Sequence, residues 1–528
     1  MMGSDMQLKP LPNSTQEFSV IRETGKMYVD KTDLVWALAN ADEDVVFLAR
    51  PRRFGKTLLL STLEAYFNGQ RHLFEGLKIM SLEKEWKKHE VLRFDLSGCS
   101  TQRELNSKLN ILLSSYEKKY GITPAEESTN GDRLHVLIET AANGRNVVLL
   151  VDEYDYALHH TLFRAEEHEA LKETYRNFFA VFKSQSKYIR FIFLAGITKF
   201  TQLSLFSVLN NIKNISFWPK YQSICGITED EVKSQLRPYV VCLAEGLQLT
   251  EDEAYQAIKD YYDGYHFCED GIDIYNPFSL INALNDLQLK DYWSNSGNTK
   301  MLMDAVDRIG WDGTDFNDIY SPKEQIEDSD INDHDLPLYL YQSGYLTIKG
   351  ATKRDYILGL PNKEVKTAIY KQILPRLVRK TSTDLQSNIR IIYSSLDVLD
   401  IHKAMQGLKA LVADTPYSQD NSVAAMEEKF RFIVKNAMHL VGCQVEEEKQ
   451  VASGRIDLVC RYDTCILIME LKLSSNGGVC AGEKQIRERK YADSYMTQSK
   501  PVYAVALEFS TDDRCLSEFS IECLTPDK

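Results

Sequence analysis

Residues 49–60 read ARPRRFGKTLLL. A phosphate-binding loop usually reads G-x-x-x-x-G-K-[ST], with backbone amides closing on phosphate oxygens. Gly55, Lys56 and Thr57 fit that pattern, but Arg50 stands at the first glycine position and Arg52 and Arg53 lie inside the loop. A GKT alone also opens ordinary surface helices, so the flanks decide. DVVFLA (44–49) has the length and apolar run of a strand, and KTLLLSTLEAYF (56–67) has the length of the helix after it. Strand, loop and helix are the context a phosphate loop requires. The amides of Phe54 to Thr57 can then point into the loop, and the helix N-terminus adds positive potential. Lys56 would reach the terminal phosphates and the Thr57 hydroxyl would hold Mg²⁺. Arg53, nearer Gly55 than Arg52 is, is the better placed of the two to reach the γ-phosphate or a partner's acidic surface. Both also read as solvated loop residues.

A metal-side carboxylate must come from a second strand. NVVLLVDEYD (146–155) runs almost unbroken in apolar residues, as a strand covered on both faces should, and ends in Asp152 and Glu153. Asp152 is placed to bind Mg²⁺ through water and Glu153 to polarise the attacking water. VLRFDLS (91–97) and YIRFIFLAGIT (188–198) read as two further strands, and ELNSKLNILLSSYEKKY as a helix between strands. Alternating strands and helices indicate an α/β domain with a parallel sheet.

From about residue 217 the texture is helical. GITEDEVKSQLRPYVVCLAEG and TEDEAYQAIKDYYDGYHF open on Thr-Glu-Asp caps, and NPFSLINALNDL and NTKMLMDAVDRIG continue the pattern. This suggests a helical lid or winged-helix module. The Asp-rich stretch 311–335 reads as a solvent loop, followed by a hairpin-like segment, and helices from about 365 to 415 bridge to the end. In the last hundred residues a helix, MEEKFRFIVKNAMHLVG, precedes three strands, RIDLVCRYD, TCILIMELKLS and PVYAVALEF, with the helix AGEKQIRERKYADSYM before the last.

YVDKTDLV, ARPRRFGKTLLLSTLEAYF, VDEYDYAL, GITKF and LNNIKNIS together resemble the bacterial AAA-ATPase-like family, in which RPRRFGK[ST] replaces the glycine-first loop. The resemblance implies that Arg50 is the family's own form of the loop. It carries Lys56, Thr57, Asp152 and Glu153 over as nucleotide and Mg²⁺ residues, with Glu153 catalytic, and it suggests Thr198 as a polar sensor on the next strand; Arg53, Phe54 and Gly55 complete the expected nucleotide-binding set by their place in the loop. It covers about residues 10 to 220, and YDGYHF, YNPFSL and LYQSGYL resemble the family's middle region.

The C-terminal strands raise a second chemistry. Asp457 lies on one strand and Glu470 on the next, and Lys472, two residues on, shares the face of Glu470. Charges on a strand such as ILIMELKL are costly to bury. Two carboxylates and a lysine on one face make a divalent-metal site with a cation beside it. With the helix before and EKQIRERKY after, this resembles the PD-(D/E)XK nuclease superfamily over about residues 415 to 510. The resemblance adds a helix glutamate to the metal site and matches Gln485 to the superfamily's helix glutamine. Glu427 lies near the apolar stripe of its helix and Glu428 points roughly away, so Glu427 is the better candidate. Lys484, Arg487, Arg489 and Lys490 could meet a phosphate backbone or simply solvate a helix face.

The resulting expectation is an α/β protein. It has a P-loop NTPase parallel-sheet core (10–215), a helical or winged-helix-like middle region (216–350), a helical linker (351–414) and a C-terminal α/β restriction-endonuclease-like domain (415–528). Its length of 528 residues suits about three domains, and a net charge of −14 excludes a broadly basic nucleic-acid coat while leaving room for a local groove. None of the ten cysteines forms a C-x-x-C pair, which argues for buried reduced thiols rather than zinc ribbons. The start lacks the apolar core of a signal peptide and no apolar run approaches the ~18 residues of a membrane span, so a cytoplasmic setting is expected. ATP, Mg²⁺, a nucleic acid (DNA or RNA) and a homo-oligomer are the implied cofactors and partners. The rival expectation is an ATP-driven switch whose nuclease-fold domain only binds nucleic acid or protein.

Overall fold

The computed structural model describes residues 8–13, 15–162, 164–198, 212–293, 306, 316, 318–328, 335–413, 423–451, 454–488, 495, 500–510 and 515–525. The chain folds as two compact units, one of Met1–Ile309 with Phe316–Val365 and a second built from Lys366–Lys528.

The first unit is organised on a sheet of five strands, β1 (Val45–Ala49), β2 (Glu90–Asp95), β3 (Val147–Asp152), β4 (Ile189–Gly196) and β5 (Lys213–Asn214). Their order is β2-β3-β4-β1-β5 and every pairing is parallel. All six residues of β3 are buried, which is why its sequence is apolar without alternation. The amphipathic helices Gln102–Tyr120, Asn130–Ala142 and Ala165–Ser184 close one core over this sheet with Leu109, Leu137 and Phe178. Parallel strands end on a common edge, so the residues after Ala49, Asp152 and Gly196 converge there.

The middle region belongs to the same unit. Thr228 and Thr250 open helices with capping boxes, each hydroxyl accepting from the backbone N–H three residues on. A short pair, β6 (Ile227–Thr228) and β7 (Ile274–Tyr275), is antiparallel, and so is a three-stranded sheet of β8 (Ile319–Pro322), β9 (Thr347–Ala351) and β10 (Asp355–Gly359) in the order β8-β10-β9. Part of the expected solvent loop is therefore ordered structure: 319–322 is a strand and Lys323–Asp328 a helix. Phe316, Asp318 and Asp335 are also described; the other residues of that stretch, and all of the expected 298–310 helix except Val306, lie outside the described residues. The expected linker 351–414 is divided. Residues up to Val365 join the first unit, and the helices Ser382–Asp397 and Ile401–Val412 enter the core of the second with Ile392 and Leu408.

The second unit carries β11 (Gln444–Val451), β12 (Gly454–Arg461), β13 (Ile466–Leu473), β14 (Val502–Phe509) and β15 (Leu516–Cys523), paired in chain order. Only β13 and β14 are parallel, which requires a crossover, and the helix Gly478–Glu488 falls within it. The helix Val423–Val441 adds Phe430, Ile433 and Ala437 to the core. All ten cysteines are free and six are buried. Among the described residues no helix is long and apolar enough to cross a membrane.

Glu364 of the first unit is buried, and its Oε1 accepts from the backbone amides of Tyr292 and Trp293 at 2.7 and 2.9 Å. Burial outweighs these bonds and pushes its carboxyl up to about 7. A carboxyl raised in the folded state favours folding below its unfolded pKa, and that contribution is lost as pH rises through 7. Glu364→Gln keeps the amide acceptor and removes the titration. Relative to wild type, it should gain stability on the order of 1–3 kcal/mol between pH 5 and 8, read from urea unfolding at each pH.

Candidate active sites

The loop after β1 divides its residues between two tasks. Arg50 is 1% exposed, and its guanidinium donates to the carbonyls of Ala49 and Ser216 at 2.8 and 2.9 Å and of Tyr221 and Gln222 at 3.3 and 3.4 Å. It also lies 4.0 Å over the ring centroid of Phe267, and burial lowers its pKa to about 10. Pro51 packs against Gly344, where an added Cβ would approach the Pro51 Cβ to 2.6 Å. Phe54 is fully buried, edge-on to Tyr265 and Phe267 at 4.7 and 5.4 Å. These three residues anchor the loop backward, and Arg52, Arg53, Gly55, Lys56 and Thr57 line a cleft in front, which Phe54 also borders. The left-handed turns fall on Arg53 (φ 67°) and Gly55 (φ 88°), not on position 50, so no glycine is required there. Arg53 is exposed and lies 4.8 Å over the Phe278 ring.

Lys56 is buried and folds back over the loop, its Nζ donating to the carbonyls of Arg50 and Pro51 at 2.9 and 3.0 Å. Burial lowers its pKa, opposed by Glu153, Asp152 and Asp155 in that order. Asp152 ends β3, buried, with its Oδ1 accepting from the Glu153 amide at 3.0 Å. Burial raises both carboxyls, and the Thr57 hydroxyl offsets this at Asp152 as Lys56 does at Glu153. Lys56, Thr57, Asp152 and Glu153 are thus neighbours at one edge of the sheet. Glu153 also sits at φ 48°, an unfavourable conformation for a glutamate, held in place by the bonds of Tyr154 and Asp155. Asp155 accepts from the amides of Ile197 and Thr198 at 2.7 and 2.6 Å, and the Tyr154 hydroxyl donates to the Thr198 carbonyl at 2.6 Å. Thr198 is spent in this stitch: its hydroxyl lies 2.7 Å from His159 Nε2, and it does not line the cleft.

The cleft measures about 740 Å³, within the range of small-molecule sites. Beyond the phosphate loop part of its wall is apolar, with Tyr28, Val35, Ile224, Phe278 and Ile281, and part is polar, with Gln16 and Asn282. Lys31 also lines it, paired with Glu231 at 2.5 Å. Sequence reading assigned no role to Tyr28, Lys31 or Phe278, although YVDKT stood out as a motif. Their place depends on how the N-terminal segment and the helix Pro277–Asp286 pack.

In the second unit Asp457 (β12) and Glu470 and Lys472 (β13) meet on one face. Lys472 Nζ is 2.9 Å from Glu470 Oε1 and 3.9 Å from Asp457 Oδ2, which also accepts from the Leu471 amide at 2.9 Å. Glu470 is fully buried, and its Oε2 has no hydrogen-bond partner. Burial, then the Asp457 charge, push its carboxyl up to about 7 against the pull of Lys472. Glu427 is partly buried and close enough to favour the charged form of Lys472, while Glu428 is exposed. Gln485 is partly buried on the helix Gly478–Glu488. A Cβ at Gly482, one turn before it, would lie 3.8 Å from the Glu470 carbonyl, so this helix crosses β13 beside the acids. Among the described residues no group of three or more His, Cys, Asp or Glu is gathered to hold a metal unaided. Asp457 and the unpartnered Oε2 of Glu470 nevertheless supply the hard oxygen donors that a divalent cation takes. Lys484 faces Glu488 at 3.8 Å and Arg487 bonds Glu522 at 3.0 Å, while Arg489 and Lys490 lie outside the described residues.

Residues 12–206 match the family described as predicted AAA-ATPase, and residues 425–519 match the PD-(D/E)XK nuclease superfamily. The chain is 30% identical over 531 residues to an "Uncharacterized protein in vnfD 5'region" of Azotobacter chroococcum mcd 1, covering 98% of this chain and 100% of that one. A solved structure, "Structure of the Aeropyrum Pernix ORC2 protein (ADPNP-ADP complexes)", aligns over 68% of this chain and 92% of that one at 13% identity. The TM-score of that alignment is 0.25.

Arg50→Gly tests the anchoring. It leaves buried carbonyls without their donor, so the first unit should lose about 3 kcal/mol or more in urea unfolding. Nucleotide turnover, measured on folded protein, should stay level or fall; a clear gain would mean that position 50 is a degraded glycine.

Proposed function

Since the chain belongs to the predicted AAA-ATPase-like family and ends in a PD-(D/E)XK nuclease superfamily domain, we propose that it couples ATP hydrolysis to metal-dependent cleavage of nucleic-acid phosphodiesters. The observation that carries the ATPase reading is the meeting of Lys56, Thr57, Asp152 and Glu153 beside the 740 Å³ cleft. Lys56 exchanges the carbonyls of Arg50 and Pro51 for phosphate oxygens, and the amides at the start of the helix Lys56–Phe67 take others. The apolar wall with Tyr28 and Ile224 suits a nucleobase. Glu153 accepts the proton of the attacking water. Thr57 and Asp152 would hold Mg²⁺, which supplies charge neutralisation at the phosphates.

In the second unit Asp457 and Glu470 would hold a divalent cation, with Glu427 and Gln485 at its margin, and the cation supplies Lewis-acid activation at a phosphodiester. Lys472, with the two acids on either side, orients water or meets the charge that develops on phosphate. The ten free cysteines support a reducing compartment, the cytoplasm. One observation favours the rival, a switch with a non-cleaving module: the exposed cations Lys484 and Arg487 face acids of their own unit, which leaves less charge for a phosphate backbone.

Lys56→Ala should sharply weaken nucleotide binding, and Glu153→Gln should keep binding while turnover falls about 10²–10⁴-fold. Nucleotide titration and phosphate release check both, and equal turnover in wild type and Lys56→Ala would sink the ATPase reading.

The two chemistries should separate by mutation. Asp457→Ala and Lys472→Ala should each cut Mg²⁺- or Mn²⁺-supported cleavage by about a hundredfold while ATP hydrolysis stays near wild type. Assaying both activities on the same preparations, across DNA and RNA, is the test. Cleavage unchanged in Asp457→Ala transfers the assignment to the binding-module reading.

A further inference from the structure

Arg52 stands on the anchored loop between two fixed points. Pro51 on one side packs at Gly344, and Phe54 on the other is locked between aromatic rings. The intervening guanidinium lines the cleft with Lys56 and Glu153. It forms no hydrogen bond or ion pair with any described residue. Other arginines of the same unit are neutralised: Arg93 by Glu17 and Glu64, Arg133 by Glu117, Arg190 by Asp44 and Arg237 by Glu251. Arg52 is close enough to Glu153 to favour that residue's charged form. A cation with no ion-pair partner among the described residues, held on an anchored loop beside the water-polarising carboxylate, is preorganised for an anion that arrives with the substrate. Arg53 is differently employed, over the face of Phe278.

We propose that Arg52 contacts the γ-phosphoryl group in cis, so that each protomer carries its own arginine for hydrolysis. The proposal rests on the ATPase reading. It transfers the phosphate-reaching role from Arg53, favoured by sequence position alone, to Arg52. In the reaction the bond between the β,γ-bridging oxygen and the γ-phosphorus breaks, water oxygen bonds to that phosphorus, and Glu153 takes the water's proton. Arg52 stabilises charge on the transferring oxygens and neither gains nor loses a proton.

The test compares wild type, Arg52→Ala, Arg53→Ala and Glu153→Gln for phosphate release, ADP affinity and trapping of ADP with aluminium fluoride, which mimics the transferring phosphoryl group. Arg52→Ala should lower kcat by about 10³-fold, keep ADP affinity within a few-fold and lose the trapped complex. Arg53→Ala should keep trapping. Mixing Arg52→Ala with Glu153→Gln should restore no activity, because the arginine and the carboxylate act within one chain. Trapping by Arg52→Ala as stable as that of wild type, or recovery of turnover in the mixture, overturns the proposal while the ATPase reading stands. Wild type that binds no ADP overturns the ATPase reading and takes this proposal with it.

Discussion

A guanidinium sealed from water must find acceptors, and the phosphate loop is shaped by how Arg50 finds them. It draws the carbonyls of Ala49, Ser216, Tyr221 and Gln222 around one side chain and rests on Phe267. The end of β1, the segment after β5 and the middle region are thereby fixed to a single group. The usual loop makes its turn with a glycine that avoids collision. This one makes it by pulling position 50 away from the cleft, and the left-handed residues move to Arg53 and Gly55. The buried Nε has no hydrogen-bond partner, so each of the four bonds lost leaves more of a cation unsatisfied in a low-dielectric interior.

The two units solve the problem of keeping acids near a cation by different means. In the first, the parallel sheet brings strand ends together, and Asp152 and Glu153 face Lys56 from a separate strand across the sheet edge. Glu153 takes a strained backbone because Tyr154 and Asp155 are bonded to the end of β4. In the second, the pleat does the work: Glu470 and Lys472 alternate with Leu471 on one strand, and Asp457 approaches from the neighbouring strand. Glu470 is consequently buried among hydrophobic strands, and burial together with the Asp457 charge raises its carboxyl.

Legibility in the sequence followed from how local each signal was. The apolar runs at 146–152 and 466–473 marked covered strands because burial on both faces removes alternation. The Thr-Glu-Asp caps marked helix starts because the capping bond spans three residues. The edge strands β11 and β15 were passed over because QVEEEKQV and LSEFSIEC carry the charges and serines of a half-exposed edge. The boundary at Val365 was equally hidden, since helices that join one core or another share the same periodicity. The anchoring side of the phosphate loop, the stitch that occupies Thr198 and the apolar wall of the cleft all depend on residues tens to hundreds of positions away. No local pattern contains them.

The folded-back Lys56 gives the cleft a resident ligand of its own. Its ammonium is satisfied by two carbonyls of the loop it serves, so the loop keeps its shape without phosphate. Under the proposed ATPase function, an arriving nucleotide would displace a tethered competitor rather than meet a free charge. Part of the gain at the phosphates would then go to releasing that lysine, which stays at hand to reoccupy its carbonyls when the phosphates leave.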